Sequence, residues 1–298
     1  MKTVPDSASP LPLAAATPCT PAEYVARLNQ TTEALFERLS ARFDEEEITL
    51  LRKAYALART AHEGQFRKGG DPYIMHPVAV ATIIAEDFMM DANSVAAGFL
   101  HDVVEDTDTT IDDIRREFGD DVAFLVQVVT KPKSHAPGQA DRAKQENNFR
   151  QLLDSMRRDI RAVLIKLADR LHNMRSLGSM QPVKQMKIAG ETDFFYAPFA
   201  NRLGLHNLRR ELENLSFRFR CPDRYERLQQ LLEQDIEQHR EELSKFTTRI
   251  EQLLAEKDLH VRTEVRYRLP YSIDTRMRKS GRDFHHIDHR YVIRVIYD

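Results

Sequence analysis

The sequence predicts a mainly α protein: an all-helical domain, then a helical connector, then the opening of an α/β domain. Apolar residues recur at helical spacing for most of the chain from Thr20 to about residue 256, with breaks at "RKGGDPY" and at the polar stretch 130–141. After Asp258 the pattern changes to β-branched alternation, which signals strands. At 298 residues with 42% hydrophobic content, the chain can bury one large core or two modest ones.

The first twenty residues hold one Lys and an apolar patch broken by Pro10 and Pro12, which makes a poor signal peptide and reads as a disordered tail. Thr20 then suits an N-cap and Pro21 a first helical position, with Tyr24, Leu28, Leu35, Leu39 and Phe43 marking the apolar face. Asp44 caps a second helix that runs through "EEEITLLRKAYALARTAHEGQF", and "RKGGDPY" ends it. Helices are expected near 77–87, 92–105 and 110–128. Residues 130–141 form a polar loop, and helices resume near 143–156, 159–177, 182–204, 208–219 and 223–256. "LHVRTEVRYRL" reads as a strand, "YSIDTRMRKSG" as a short helix and "RYVIRVIYD" as a second strand.

Forty-four basic against 46 acidic side chains give a net charge of -2, so no global field points to nucleic acid or an anionic membrane. An anionic ligand must be held by local groups. No apolar run approaches the roughly 18 residues of a membrane span. Cys19 and Cys221 lie far apart without ligand-like spacing, which suits a reducing, cytoplasmic setting.

The chemistry concentrates in "GFLHDVVEDTDTT", residues 98–110, where His101 and Asp102 interrupt an apolar face and Glu105 and Asp106 follow within one turn. Asp169 likewise interrupts "IKLADRLHNMRSL", with His172 and Asn173 one turn on, and His76 stands before Pro77 at a loop-to-helix junction. Each taken singly has a plain alternative: His76 packs in a turn, Asp169 pairs with a nearby arginine, Arg67 and Lys68 make an ordinary basic loop, Asn173 caps locally. As an ordered set, two imidazoles and two carboxylates can hold one divalent ion, with manganese, iron or zinc suited to such ligands.

The order H…HD…D is similar to that of the HD-domain metal phosphohydrolases. The strings "AHEGQFRKGGDPYIMHP", "GFLHDVVEDTD", "VTKPK", "IKLADRLHNMRSL", "YAPFANRLGL" and "ELENLSFRF" resemble the N-terminal hydrolase half of the RelA/SpoT family over roughly residues 25–220. That resemblance implies removal of the 3′-pyrophosphate of (p)ppGpp, the stringent-response nucleotide, giving GDP or GTP plus pyrophosphate with one Mn²⁺. It makes His76, His101, Asp102 and Asp169 the metal ligands, and Glu105 and Asp106 the acidic pair beside the attacking water. It also makes Arg67, Lys68, Asn173, Arg175 and Ser176 the residues that hold the nucleotide; Ser176 stands where the family often has Thr.

The domain scheme that follows is a tail at 1–20, an HD-type hydrolase at 21–205, a helical connector at 206–258 and the truncated start of a synthetase at 259–298. The resemblance implies synthetase and regulatory regions of a longer parent chain as partners, with any ribosome contact made only through those further domains and none with a membrane. The family's synthetase Asp aligns with His289, and Asp288 lies one position away on a strand that reverses the face, so this chain is expected to lack synthetase activity. His285, His286 and His289 imitate a second metal site in sequence. Two rival functions remain: an HD phosphohydrolase for another nucleotide, and a nucleotide-sensing module that signals through the 223–256 helix.

Overall fold

The computed structural model describes residues 21–130 and 157–297, and these fall into two compact units that meet between Met180 and Gln181. The proposed tail, the polar loop after residue 130 and the helix near 143–156 lie outside the described residues.

The first unit is entirely helical. α1 (Pro21–Ser40) buries Leu28, Leu35, Phe36 and Leu39 along one stripe. α2 (Glu45–Ala61) starts at a capping box: the Glu47 amide donates to Asp44 Oδ1 at 2.9 Å and the Asp44 amide to Glu47 Oε2 at 3.1 Å. It ends at Ala61, five residues short of the expected Phe66. Gly64 sits at φ 74°, and the Tyr73 amide bonds back to the Gln65 carbonyl at 2.9 Å, so the chain is already reversing.

α3 (Met75–Thr82) widens into a π turn over Ile83–Asp87. α4 (Ala92–Leu100) is buried almost all round, so it is the central helix of this unit. Its small residues permit close approach: a Cβ at Gly98 would stand 2.6 Å from Ile84 Cδ1 and 3.3 Å from Ala81 Cα. Phe36, Tyr55 and Phe99 close the core around α4, with ring centroids 5.9–6.3 Å apart.

The helix expected over 92–105 is two pieces. α4 stops at Leu100, His101 and Asp102 form a turn, and α5 (Val103–Asp106) begins from Asp102, whose carbonyl accepts the amides of Glu105 and Asp106. The His101 ring takes the Gly98 carbonyl through Nδ1 at 2.8 Å, so a side chain occupies a backbone acceptor at the break. α6 (Ile111–Val129) has its own capping box, Thr110 with Asp113, and kinks at Gly119, φ 84°. α7 (Ile160–Arg175) starts at Asp159, which accepts the Arg161 amide at 2.8 Å.

Arg161 ties α7 to α6 through a fork onto Asp121 at 2.6 and 2.9 Å, and its second edge meets Asp159 at 2.7 and 3.0 Å. Hydrogen bonds from Arg161 hold both carboxyls below the usual carboxylate range. A depressed carboxylate contributes stability above its ordinary pKa and loses it as pH falls through the lowered one. Arg161→Ala should therefore cost about 1–2 kcal/mol near neutral pH, discounted because water screens Asp121, and the gap to wild type should shrink below about pH 4. Thermal melts at pH 7 and pH 3 check this; a gap that widens in acid would reject it.

The second unit contains α8 (Pro182–Glu191), a π turn over Thr192–Tyr196, α9 (Ala197–Arg202), α10 (His206–Arg220), the long α11 (Pro222–Ala255) and α12 (Pro270–Ser280). β1 (Val261–Tyr267) pairs antiparallel with β2 (Tyr291–Tyr297), with Val261 opposite Tyr297 and Tyr267 opposite Tyr291. Phe217, Leu228, Leu232, Ile273, Phe284 and Ile287 form its core. Buried Asp274 is held by Arg224 and Arg278. Asp288 and His289 precede β2 instead of lying on a strand, and His289 takes φ 58°, so the expected strand-face argument does not apply there. None of the described helices is long and apolar enough to cross a membrane.

Candidate metal centre

Three elements of the first unit meet at the cluster. α3 begins with His76 one residue from its N-terminus, the break after α4 supplies His101 and Asp102, and α7 supplies Asp169 from its apolar face. His76 Nε2 lies 3.2 Å from His101 Nε2, 3.4 Å from Asp102 Oδ2 and 3.2 Å from Asp169 Oδ1. His101 Nε2 lies 3.2 Å from Asp102 Oδ2 and 3.8 Å from Asp169 Oδ1. Both histidines are about 1% exposed. His76, His101 and Asp102 thus place one ligand atom each within 4.8 Å of one another, and Asp169 stands outside that trio, against the two imidazoles.

The hydrogen bonds fix what those atoms are. His101 Nδ1 donates to the Gly98 carbonyl at 2.8 Å, which leaves Nε2 as the nitrogen that faces the cluster and can take a proton or an ion. Two imidazole nitrogens at 3.2 Å and two carboxylates cannot converge in a buried site without a positive charge between them. Such a set holds either a proton or a cation. Burial alone would lower the His101 pKa, but the Asp102 carboxylate, with help from Asp169, pushes it up to about 9. Burial works to raise Asp102 and Asp169 as well, and the imidazoles His101 and His76 reverse it and hold both carboxyls low. Among the described residues, His76, His101 and Asp102 form the grouping able to hold a metal ion, which is consistent with a divalent-metal site. His285, His286 and His289 form no such group there; His286 pairs with Asp283 at 2.6 Å.

The flanking loop completes the site. Residues 65–73 fold back on themselves through a bridge between Phe66 and Pro72, an Arg67 amide to Asp71 carbonyl bond of 2.8 Å and Gly70 at φ 90°. Arg67 projects from it onto α7: Nη2 donates to Asn173 Oδ1 at 2.6 Å, and Nη1 donates to Ser176 Oγ at 3.1 Å and His172 Nδ1 at 3.3 Å. Asn173 in turn donates to Asp169 Oδ1 at 2.5 Å. Lys68 is exposed at the loop tip and Arg175 is half-buried in the last turn of α7. Glu105 is half-buried and Asp106 exposed, both on α5 beside the cluster.

Two groups here carried no assigned role in the sequence. Tyr73 Oη lies 2.8 Å from Asp102 Oδ2 and 2.9 Å from Asp106 Oδ2, so its single hydrogen is shared between a cluster carboxylate and an acid of α5. Burial, then those two carboxylates, raise its phenol pKa, so it stays a donor. His62 stacks on the Tyr73 ring with centroids 4.6 Å apart and fixes its plane. His172, the second group, lies 2.7 Å from His76, Nδ1 to Nδ1. Burial, His76 and Arg67 keep its pKa well below the ordinary histidine value.

The family pattern described as "HD domain" matches residues 54–206, just over half of the chain, and every member of the cluster lies inside that span. The chain belongs to the HD-domain family. Within that family it is a RelA/SpoT homologue, similar over most of its length to curated members. It is 42% identical over 264 residues to the bifunctional (p)ppGpp synthase/hydrolase SpoT of Escherichia coli (strain K12), covering 89% of this chain and 37% of that protein. It is 43% identical over 240 residues to the guanosine-3′,5′-bis(diphosphate) 3′-pyrophosphohydrolase of Haemophilus influenzae, covering 80% and 35%. To the GTP pyrophosphokinase of Myxococcus xanthus it is 39% identical over 252 residues, covering 84% and 33%. A solved structure, of a metazoan ortholog of SpoT that hydrolyses ppGpp, is 31% identical and covers 60% of this chain and 98% of that one, at a TM-score of 0.47. The HD-domain chain thus spans about a third of the length of the curated relatives it matches.

Proposed function

We propose that this HD domain hydrolyses the 3′-pyrophosphate of ppGpp and pppGpp, releasing pyrophosphate and GDP or GTP, with a single Mn²⁺ held by His76, His101, Asp102 and Asp169. The observation that carries the reading is the convergence of two buried imidazole nitrogens and the Asp102 carboxylate, with Asp169 3.2 Å from His76, beside two further acids and a basic loop. Harder, non-thiolate ligands of this kind suit manganese. When bound, such an ion lowers the pKa of water and neutralises phosphate charge.

The chain's own side chains supply the rest. Glu105 orients the attacking water and accepts its proton, and Asp106, fixed by Tyr73, assists it or works at the leaving group. Arg67 and Lys68 bring positive charge to the nucleotide, the arginine by stacking or a planar fork and the lysine as a point charge. Asn173, Arg175 and Ser176 line the same pocket; Asn173 and Ser176 already hold the Arg67 guanidinium. This local basic group meets the requirement that a near-neutral protein with net charge -2 hold a polyanion.

We assign residues 21–205 to this hydrolase, 206–258 to a connector and 259–298 to the start of a synthetase domain, working in the cytoplasm with the further regions of a longer chain. Purified protein incubated with ppGpp and Mn²⁺ should release pyrophosphate. A manganese-loaded chain that leaves ppGpp intact would refute the reading.

A further inference from the structure

His172 touches both halves of the site, and the Arg67 contact selects its tautomer. The Arg67 guanidinium can only donate, so the His172 Nδ1 it meets at 3.3 Å carries a lone pair. The same Nδ1 stands 2.7 Å from His76 Nδ1, and a lone pair cannot bond another lone pair, so His76 Nδ1 bears the hydrogen. His76 Nε2 is then the nitrogen left to take an ion in place of a proton, and it is the one facing His101, Asp102 and Asp169. The α7 backbone holds the guanidinium in place, because Ser176 Oγ accepts from Arg67 while donating to the His172 carbonyl at 3.0 Å.

We propose that His172 is a positioning residue: its Nδ1 lone pair, shared between Arg67 and His76, locks His76 in the Nδ1–H form and aims Nε2 at the metal. The assignment rests on His76 being a metal ligand, as in the function proposed above. Metal-ligating histidines generally need such a partner, and its loss typically costs 10–100-fold in affinity. Here the partner is another imidazole, set in turn by the arginine of the nucleotide loop. The tautomer that binds the ion is therefore dictated from the substrate side of the site.

The test is Mn²⁺ binding by the whole 298-residue chain, measured by calorimetry without nucleotide, so that no turnover enters the result. His172→Leu removes the lone pair and should weaken Mn²⁺ by about 10–100-fold. His172→Asn, whose amide oxygen can stand where Nδ1 does, should restore most of that loss, which a purely packing role would not predict. Arg67→Met gives a test by sign. Removing a positive charge beside a cation site should tighten Mn²⁺ on Coulomb grounds alone, whereas loss of the donor that fixes the lone pair should weaken it. Tighter binding by Arg67→Met, or wild-type affinity in a folded His172→Leu, overturns the relay and leaves the metal site standing. A wild-type chain that takes up no divalent ion overturns the metal reading and the relay together. Should His172→Leu fail to fold, the sign of the Arg67→Met change decides alone.

Discussion

Asp102→Ala is expected to lose metal uptake and hydrolysis together, with Mn²⁺ affinity falling by more than about 100-fold, since even the loss of an outer partner costs 10–100-fold. The reason is local. Asp102 Oδ2 stands 3.2 Å from His101 Nε2 and 3.4 Å from His76 Nε2, and it also anchors the Tyr73 hydroxyl. Its removal strips a negative charge from two buried imidazoles and frees the tyrosine that holds Asp106. It also withdraws the main support for a protonated His101. Ligand binding stabilises the folded chain by about 2.7 kcal/mol at a hundredfold excess over Kd. Wild type should therefore melt later in saturating Mn²⁺ and earlier in chelator, while Asp102→Ala should melt at one temperature in both. A variant still stabilised by Mn²⁺ would remove Asp102 from the ligand set.

Glu105→Gln should separate the two functions that Asp102→Ala destroys together. A positioned acid or base contributes roughly 10²–10⁴-fold to rate, so kcat should fall within that range while KM and Mn²⁺ affinity stay near wild type. Glu105 lies three residues beyond Asp102, on α5, and its amide is bonded to the Asp102 carbonyl at 3.1 Å. The carboxylate is thus carried by the same turn as a ligand without belonging to the converging set. The variant keeps shape and hydrogen bonding and removes only charge and basicity. An unchanged kcat would exclude Glu105 as the base, and a parallel loss of metal would make it structural.

Much of the helical frame is legible in the residues. Asp44 with Glu47 announces a helix start, as does Thr110 ahead of α6, because a side chain that reaches a local amide needs no tertiary partner. The four candidate ligands are legible for a related reason: a His or Asp inside an apolar run carries a desolvation cost that only a partner relieves. The break at His101 is not legible, since "GFLHDVVED" is good helix sequence and the interruption comes from a ring bonded to the Gly98 carbonyl. Nor are Tyr73 and His172. They act on residues 29 and 96 positions away, and a tyrosine in a loop or a histidine near a helix end has no local signature. The end of α2 is not legible either, because Gly64 and the back-bonding of residues 65–73 act only once the loop has closed.

That loop sets an unusual limit on sequence change. Surface loops ordinarily absorb insertions and deletions easily. Between Phe66 and Pro72, however, the span is locked by the bridge, by Arg67 bonded to Asp71 and by Gly70 at φ 90°. Arg67 leaves the loop on one side of the bridge and Tyr73 on the other, one reaching α7 and the other Asp102 and Asp106. Its length therefore works as a ruler between Arg67 and the acids. One added residue, harmless to most surface turns, would put the two ends of that ruler out of register with each other.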